Sequence, residues 1–225
     1  MLETVKRSAL QRALREAEEA VLAELEVVRQ SLGRAVAAAT TGEAAPAEQV
    51  VAEARELERR YGEVHDRLMA LIARQAPVAG DLRLVIALLH VNDRIERMGS
   101  QCVNIAKLCS AMPAGEHTSA EQLDCLAAMA RLADEQVDEA GRAFAERDPE
   151  ARKRLRDHDL EINERNRRCF ALAIQDGDDP AARETAFFVA MMARALERIG
   201  DNAVDIGQQA AFVVSGRLRP TATPG

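Results

Sequence analysis

Apolar residues recur at every third or fourth position through most of the chain. Leu10, Leu14, Ala17, Val21, Leu25, Val28 and Leu32 make one such stripe. That spacing is the period of an amphipathic α-helix. Breaks divide the pattern into six long segments. The first runs from about Glu3 to Thr40 and stops at Gly42. Pro46 suits the first turn of a second helix that ends near Gln75. Pro77 and Gly80 interrupt, and Asp81 is placed to cap a third helix reaching about Ala111. Pro113 and Gly115 break the pattern again. Thr118 and Glu121 then have the spacing of a capping box for a fourth helix. Asp148-Pro149 and Asp179-Pro180 each set a capping carboxylate before a helix-starting proline, opening the fifth and sixth helices. No stretch alternates with period two long enough to build a sheet. The expected fold is all-α, with long rods joined by short loops and packed as antiparallel neighbours.

An internal repeat sharpens this picture. Glu96-Arg97-Met98-Gly99 in the third helix recurs as Glu197-Arg198-Ile199-Gly200 in the sixth, 101 residues later. The stripe Leu88, Val91, Ile95, Met98, Cys102, Ile105 and Cys109 maps by the same shift onto Val189, Met192, Leu196, Ile199, Ala203, Ile206 and Ala210. Each block closes a three-helix unit. The chain therefore divides into two pseudo-repeated antiparallel three-helix bundles, over residues 1–114 and 115–215. A flexible Pro/Thr/Gly-rich tail at 216–225 follows.

Composition narrows the function classes. Of 225 residues, 48% are hydrophobic but only 3% aromatic, with no Trp. Stacking platforms for single-stranded nucleic acid need more aromatics than this. The net charge of −7 removes the basic footprint of a nucleic-acid binder. No apolar run approaches the roughly 18 residues that span a bilayer, so direct membrane insertion is not expected. The N-terminus has no signal-like apolar region. Cys102, Cys109, Cys125 and Cys169 form no Cys-x-x-Cys pair and read as reduced cysteines in or near the core of a cytosolic protein.

The candidate chemistry lies in carboxylates. Glu197, Asp201 and Asp205 are spaced i, i+4, i+8 and share one face of the sixth helix. Asp157, Glu161 and Glu164 make a similar line on the fifth. Like charges at this spacing repel by about 0.2–0.5 kcal/mol per pair. If the turn between these helices centres near residue 179, Asp157 stands level with Asp201 and Glu161 with Glu197. Two facing rows of oxygens would suit a hard cation or iron. The competing reading is a solvated acidic edge, with Arg194 and Arg198 near enough to pair with Glu197 and Asp201. Gly200, inside a helix at a cost of about 1 kcal/mol relative to Ala, suggests a close backbone approach, and Gly99 repeats it. In the first bundle, a turn centred near residue 77 sets Glu58 level with Glu96 but Ala54 level with Ser100, and Asn104 replaces the counterpart of Asp205. Any metal is therefore expected in the second bundle first, with little or none in the first.

The two Glu-Arg-(Met/Ile)-Gly blocks, with Pro77-Val78-Ala79-Gly80-Asp81-Leu82-Arg83 ahead of the first, resemble the PhoU family of phosphate-signalling regulators. The resemblance covers nearly the whole chain. It implies a pair of three-helix bundles in a cytoplasmic, non-enzymatic protein, expected as a homodimer. Its partners would be the ATPase subunit of the Pst phosphate ABC transporter and a sensor histidine kinase, and its role repression of the phosphate-starvation response when phosphate is plentiful. The family's metal motif falls on Asp157 with Glu161 and on Glu197 with Asp201. In the first bundle it falls on Ala54 with Glu58 and on Glu96 with Ser100, two departures from the pattern. Iron, zinc, manganese and magnesium all remain open as the metal, and oxygen-only ligands favour the harder ions.

Two other readings compete. A di-iron oxidase needs Glu-x-x-His pairs, and none of His65, His90, His117 and His158 has a Glu three residues before it. No phosphate loop or catalytic motif is present, so no catalytic residue is assigned. A spectrin-like structural spacer fits the repeat length, but gives no reason for a glycine and an acidic line inside one core-facing helix of each copy.

Overall fold

The computed structural model describes residues 2–112, 118–175 and 180–217, with side chains from residue 7 onward. Six helices follow in order: α1 (Leu2–Thr41), α2 (Ala44–Gln75), α3 (Ala79–Ala111), α4 (Ala120–Glu146), α5 (Ala151–Gln175) and α6 (Pro180–Ser215). There is no strand among the described residues. The expected break at Pro113–Gly115, the boundary at residues 114–115, the cap at Asp179 and tail residues 218–225 lie outside the described residues.

Local chemistry explains most helix ends. Gly42 takes φ +73° and its N–H donates to the Ala38 carbonyl at 3.0 Å, closing α1. Asp148 Oδ1 accepts from the Glu150 N–H at 2.9 Å in the bend ahead of α5, which begins at Ala151 and not at the expected Pro149. Two caps differ from expectation by one or a few residues. The capping box of α4 is Ser119 with Gln122, not Thr118 with Glu121. A glutamine at the third helical position closes the box as well as a glutamate does. The residue before α3 is Val78, with no side-chain cap. Asp81 sits inside the first turn and accepts from Gln11 Nε2 at 2.9 Å, tying α3 to α1. Arg83 is turned toward the end of α6, where Gly216 (φ +68°) leaves room for its guanidinium.

Helices α1, α2 and α3 pack on one another, and so do α4, α5 and α6. The bundles then join side by side, α3 against α6 and α1 against α4. The predicted stripes are the core: Leu88, Val91, Ile95, Met98, Cys102 and Ile105 are buried, as is every residue of the stripe from Val189 to Ala210. One continuous apolar cluster runs through both bundles. A fully buried Leu, Ile or Phe contributes about 1.5–3 kcal/mol relative to exposure, so Leu155, Ile162 and Phe144 matter far more than the surface ion pairs. The α1–α4 seam adds polar order. Arg29 forks onto Asp134 at 3.0 Å and reaches Asp138 at 2.8 Å. Arg147 lies over the Phe144 ring and pairs with Glu18 at 2.6 Å.

Glycines set the helix spacing beside the candidate site. A Cβ on Gly200 would stand 2.7 Å from Gln136 Oε1 and 3.0 Å from Ile162 Cδ1. A Cβ on Gly207 would collide with Leu155, and one on Gly99 with Leu57. The close approach expected at Gly99 and Gly200 is therefore present, with a third at Gly207. These contacts also fix register. With Gly200 against Ile162 and Gly207 against Leu155, Glu161 stands level with Asp201 and Asp157 with Asp205. That is one helical turn from the pairing expected from a turn centred at residue 179.

Candidate functional site

Three helices supply polar groups around Gly200. From α4 comes Gln136, fully buried, whose amide nitrogen donates to the Leu155 carbonyl at 2.9 Å. From α5 come Asp159, Asn163 and Asn166. They lie on the inward face with Leu155, Ile162 and Cys169, which is why a polar helix turns them toward the core. From α6 come Glu197 and Asp201. Asn163 donates to Asp159 Oδ2 at 3.0 Å, and Asn166 donates to Glu197 Oε2 at 2.6 Å. Asn163 thus braces Asp159 along α5, and Asn166 holds Glu197 across the α5–α6 groove.

The cluster is short of donors. Gln136 Oε1, Asp159 Oδ1, Asn163 Oδ1 and Asn166 Oδ1 are buried without a hydrogen-bond partner. Two of these, Gln136 Oε1 and Asp159 Oδ1, lie within 3.5 Å of the point a Gly200 Cβ would occupy. Unpaired buried acceptors are costly, about 1–3 kcal/mol each, and a proton, a water or a cation would relieve them.

The electrostatics agree. Burial, then the Asp201 and Glu197 carboxylates, push the Asp159 carboxyl up to about 6. Asp201 is exposed at the edge of the groove, and desolvation by the helices beside it, then Glu197, raise its carboxyl against the pull of Arg194. Asp205 is raised by burial although Arg94, Arg97 and His90 lower it. Arg94 comes from α3 of the other bundle and reaches Asp205 at 3.3 Å.

The remaining predicted residues are placed as follows. Asp157 is exposed on α5. Glu161 is exposed and pairs with Arg165 at 3.0 Å. Glu164 is 72% exposed and pairs with Arg167. Glu197 also pairs with Arg194. The arginine-paired edge and the acidic face thus coexist on these two helices. In the first bundle Glu58 and Glu96 do share a groove, of about 350 Å³, with Ala54, Gly99, Ser100, Asn104 and Lys107. Ser100 Oγ donates to Glu96 at 3.1 Å. Among the described residues, no three His, Cys, Asp or Glu side chains gather where they could hold a metal ion. The donor chemistry of the second bundle suits a hard cation, while the side-chain placement gathers no such set.

Sequence reasoning passed over Asp159, Asn163, Asn166 and Gln136. The available signal was the inward stripe of α5: Asp159 follows Leu155 by four residues, and Asn166 follows Ile162 by four.

The comparisons with known proteins agree with the fold. The PhoU domain family model matches twice, over residues 21–109 and 126–210. The "Phosphate-specific transport system accessory protein PhoU homolog 1" of Mycobacterium tuberculosis is 29% identical over 188 residues, 84% of this chain and 85% of that protein. The crystal structure of the phosphate transport system regulatory protein PhoU from Streptococcus pneumoniae superposes with a TM-score of 0.86 at 20% identity, covering 94% of this chain and 100% of that one. PhoU from Pseudomonas aeruginosa gives 0.82 at 23% identity, over 92% and 99%. Among the described residues, no helix is long and apolar enough to cross a membrane.

Proposed function

We propose, since the chain belongs to the PhoU family, that it is a cytoplasmic regulator of phosphate uptake and phosphate-starvation signalling. In this reading it couples the ATPase subunit of the Pst phosphate transporter to a sensor histidine kinase. It represses the starvation response when phosphate is plentiful, and it acts as a homodimer. It works by binding and catalyses no reaction. The observation that carries the proposal is the twofold family match, one per bundle, together with a curated relative named as a phosphate-specific transport accessory protein over most of its length. Packing weighs against the spacer alternative: α3 lies on α6 and α1 on α4, so the bundles stand side by side and not end to end.

The experiment is a clean deletion of the gene. Starvation genes should be switched on in high phosphate and switched off again by the restored gene. Unchanged expression and unchanged phosphate uptake would count against the proposal.

The second bundle is also our proposed place for a metal cation such as magnesium, manganese, zinc or iron, with Glu197 and Asp201 as its first donors and Asp157, Glu161, Glu164 and Asp205 as the further carboxylates of the same two helices. The support is the set of raised carboxyls and the unpaired oxygens beside Gly200. Glu58 and Glu96, with Lys107 on the same groove, make the poorer site. A bound cation would lend positive charge to the acidic face. The chain's own part is to hold Glu197 by Asn166 and to keep Asp159 and Asp201 crowded.

A further inference from the structure

All four cysteines are free thiols, and two of them meet. Cys125 on α4 and Cys169 on α5 have their sulfurs 2.6 Å apart. Cys169 is fully buried and Cys125 is 8% exposed. The Cys125 thiol donates to the Arg165 carbonyl at 3.4 Å, and Met129 Sδ lies 3.8 Å from Cys169 Sγ. Cys102, by contrast, points at the Val28 carbonyl, 3.8 Å away on α1.

Core packing, a shared soft metal or a covalent bond can bring a pair of cysteine sulfurs together, and sulfurs that are merely packed stay at van der Waals separation. Thiolates bound to one metal at about 2.3 Å in a tetrahedral arrangement stand about 3.8 Å apart. The observed separation is far shorter. It is much nearer the roughly 2.05 Å of a bonded pair. We propose that Cys125 and Cys169 are a modification site, a thiol pair that a peroxide closes into a disulfide joining α4 to α5.

The steps balance. The Cys125 thiolate, the more accessible of the two, attacks one oxygen of hydrogen peroxide. The O–O bond breaks, hydroxide leaves, and a sulfenic acid remains on Cys125. The Cys169 thiolate then attacks the Cys125 sulfur, the S–O bond breaks, and hydroxide leaves again. The two thiol protons neutralise the two hydroxides. Two thiols and one peroxide give one disulfide and two waters. Burial, and the adjoining Cys125, hold the Cys169 thiol well above its ordinary range against the opposing charge of Arg165. Only the thiolate attacks, so closure is slow at neutral pH and quickens as pH rises. The bond would form one turn from Asn166, the residue that holds Glu197. It would therefore brace α5 against α4 beside the acidic face.

The test uses the full chain, reduced and then treated with hydrogen peroxide at pH 7 and pH 9. The protein is denatured without reductant and alkylated. Two of the four thiols should become resistant to alkylation, faster at pH 9, and dithiothreitol should restore both. Trypsin should leave peptide 108–131 joined to peptide 169–183, with fragmentation placing the bond at Cys125 and not at Cys109. Cys169→Ser should abolish the cross-link and leave a trappable sulfenic acid on Cys125. Four alkylated thiols after peroxide, a bond through Cys109, or irreversible oxidation of Cys125 without a cross-link would each overturn the proposal. The wild-type map decides even if Cys169→Ser fails to fold.

Discussion

In the first bundle the groove beside Gly99 is lined by Glu58, Glu96, Ser100, Asn104 and Lys107. In the second, the equivalent face beside Gly200 carries Asp159, Glu197 and Asp201, with Asp205 one turn on from Asp201 and buried Gln136 behind. The backbone plan is shared, and so are the apolar stripes 101 residues apart. What diverged is the polar lining. Gly99 and Gly200 make the same close approach in both copies, because a Cβ at either would meet the neighbouring helix. Charge in a groove answers only to whatever the groove binds. Ser100 and Asn104 stand where the second bundle has Asp201 and Asp205, so the copies can serve different ligands on one scaffold.

The comparison predicts equal responses to packing changes. Gly99→Val and Gly200→Val both force a side chain into a neighbouring helix, against Leu57 in one case and Ile162 with Gln136 in the other. Overpacking of this type costs about 1–3 kcal/mol. Melting should fall by roughly 2–4 °C per kcal/mol for a chain of this size. A large fall from one variant and none from the other would break the equivalence of the bundles.

The copies should differ next in their response to neutralised carboxylates. Asp159, raised from 3.8 to about 6, keeps a proton in the fold that the unfolded chain releases. Stability therefore falls as pH rises from about 4 to 6 and levels off above that. Asp159→Asn should remove this part of the slope and stabilise the protein at pH 7.5 by about 1 kcal/mol after solvent screening. Urea melts at several pH values would measure it. Glu58→Gln and Glu96→Gln should stay within about 0.5 kcal/mol, as surface changes do. A pH slope unaltered in Asp159→Asn would remove the electrostatic half of the comparison.

The first bundle has a raised carboxyl of its own, away from that groove. Glu24 on α1 is 4% exposed, and burial lifts its carboxyl to about 7 despite Arg60 and Arg67. Glu24 likewise keeps a proton in the fold that the unfolded chain releases, so the loss of stability extends up to pH 7. Glu24→Gln should flatten the curve between about pH 5 and 7, leaving the lower part to Asp159. The smallest expected effect is at the seam between the bundles. Arg94 and Asp205 are both partly exposed, so Arg94→Ala should cost at most about 1 kcal/mol, and less in high salt.

Much of this was legible in the sequence. The stripes were, because period-3.6 burial leaves no other use for residues such as Leu88 or Val189. Gly99 and Gly200 were, because a mid-helix glycine needs a packing reason. The α5–α6 register was not. It depends on helix crossing and on the intervening turn, and a shift of one turn keeps the same residue types on the same face. Asp159 was hidden because attention to the i, i+4 acidic line on α5 favours Asp157 and Glu161, which prove exposed. Asn163, Asn166 and Gln136 are uncharged and carry no pattern until a neighbouring helix is placed. The meeting of Cys125 and Cys169, 44 residues apart on different helices, has no local signal.

The most direct test of the asymmetry between the bundles is metal content. The protein would be purified without chelator, loaded with magnesium or manganese, desalted and assayed for metal. The variants would be Asp157→Ala with Asp201→Ala in the second bundle, and Glu58→Ala with Glu96→Ala in the first. The second-bundle pair should lose the bound cation while the first-bundle pair keeps the wild-type amount. Equal loss from both pairs, loss from the first-bundle pair alone, or no cation bound by the wild type would overturn the asymmetry.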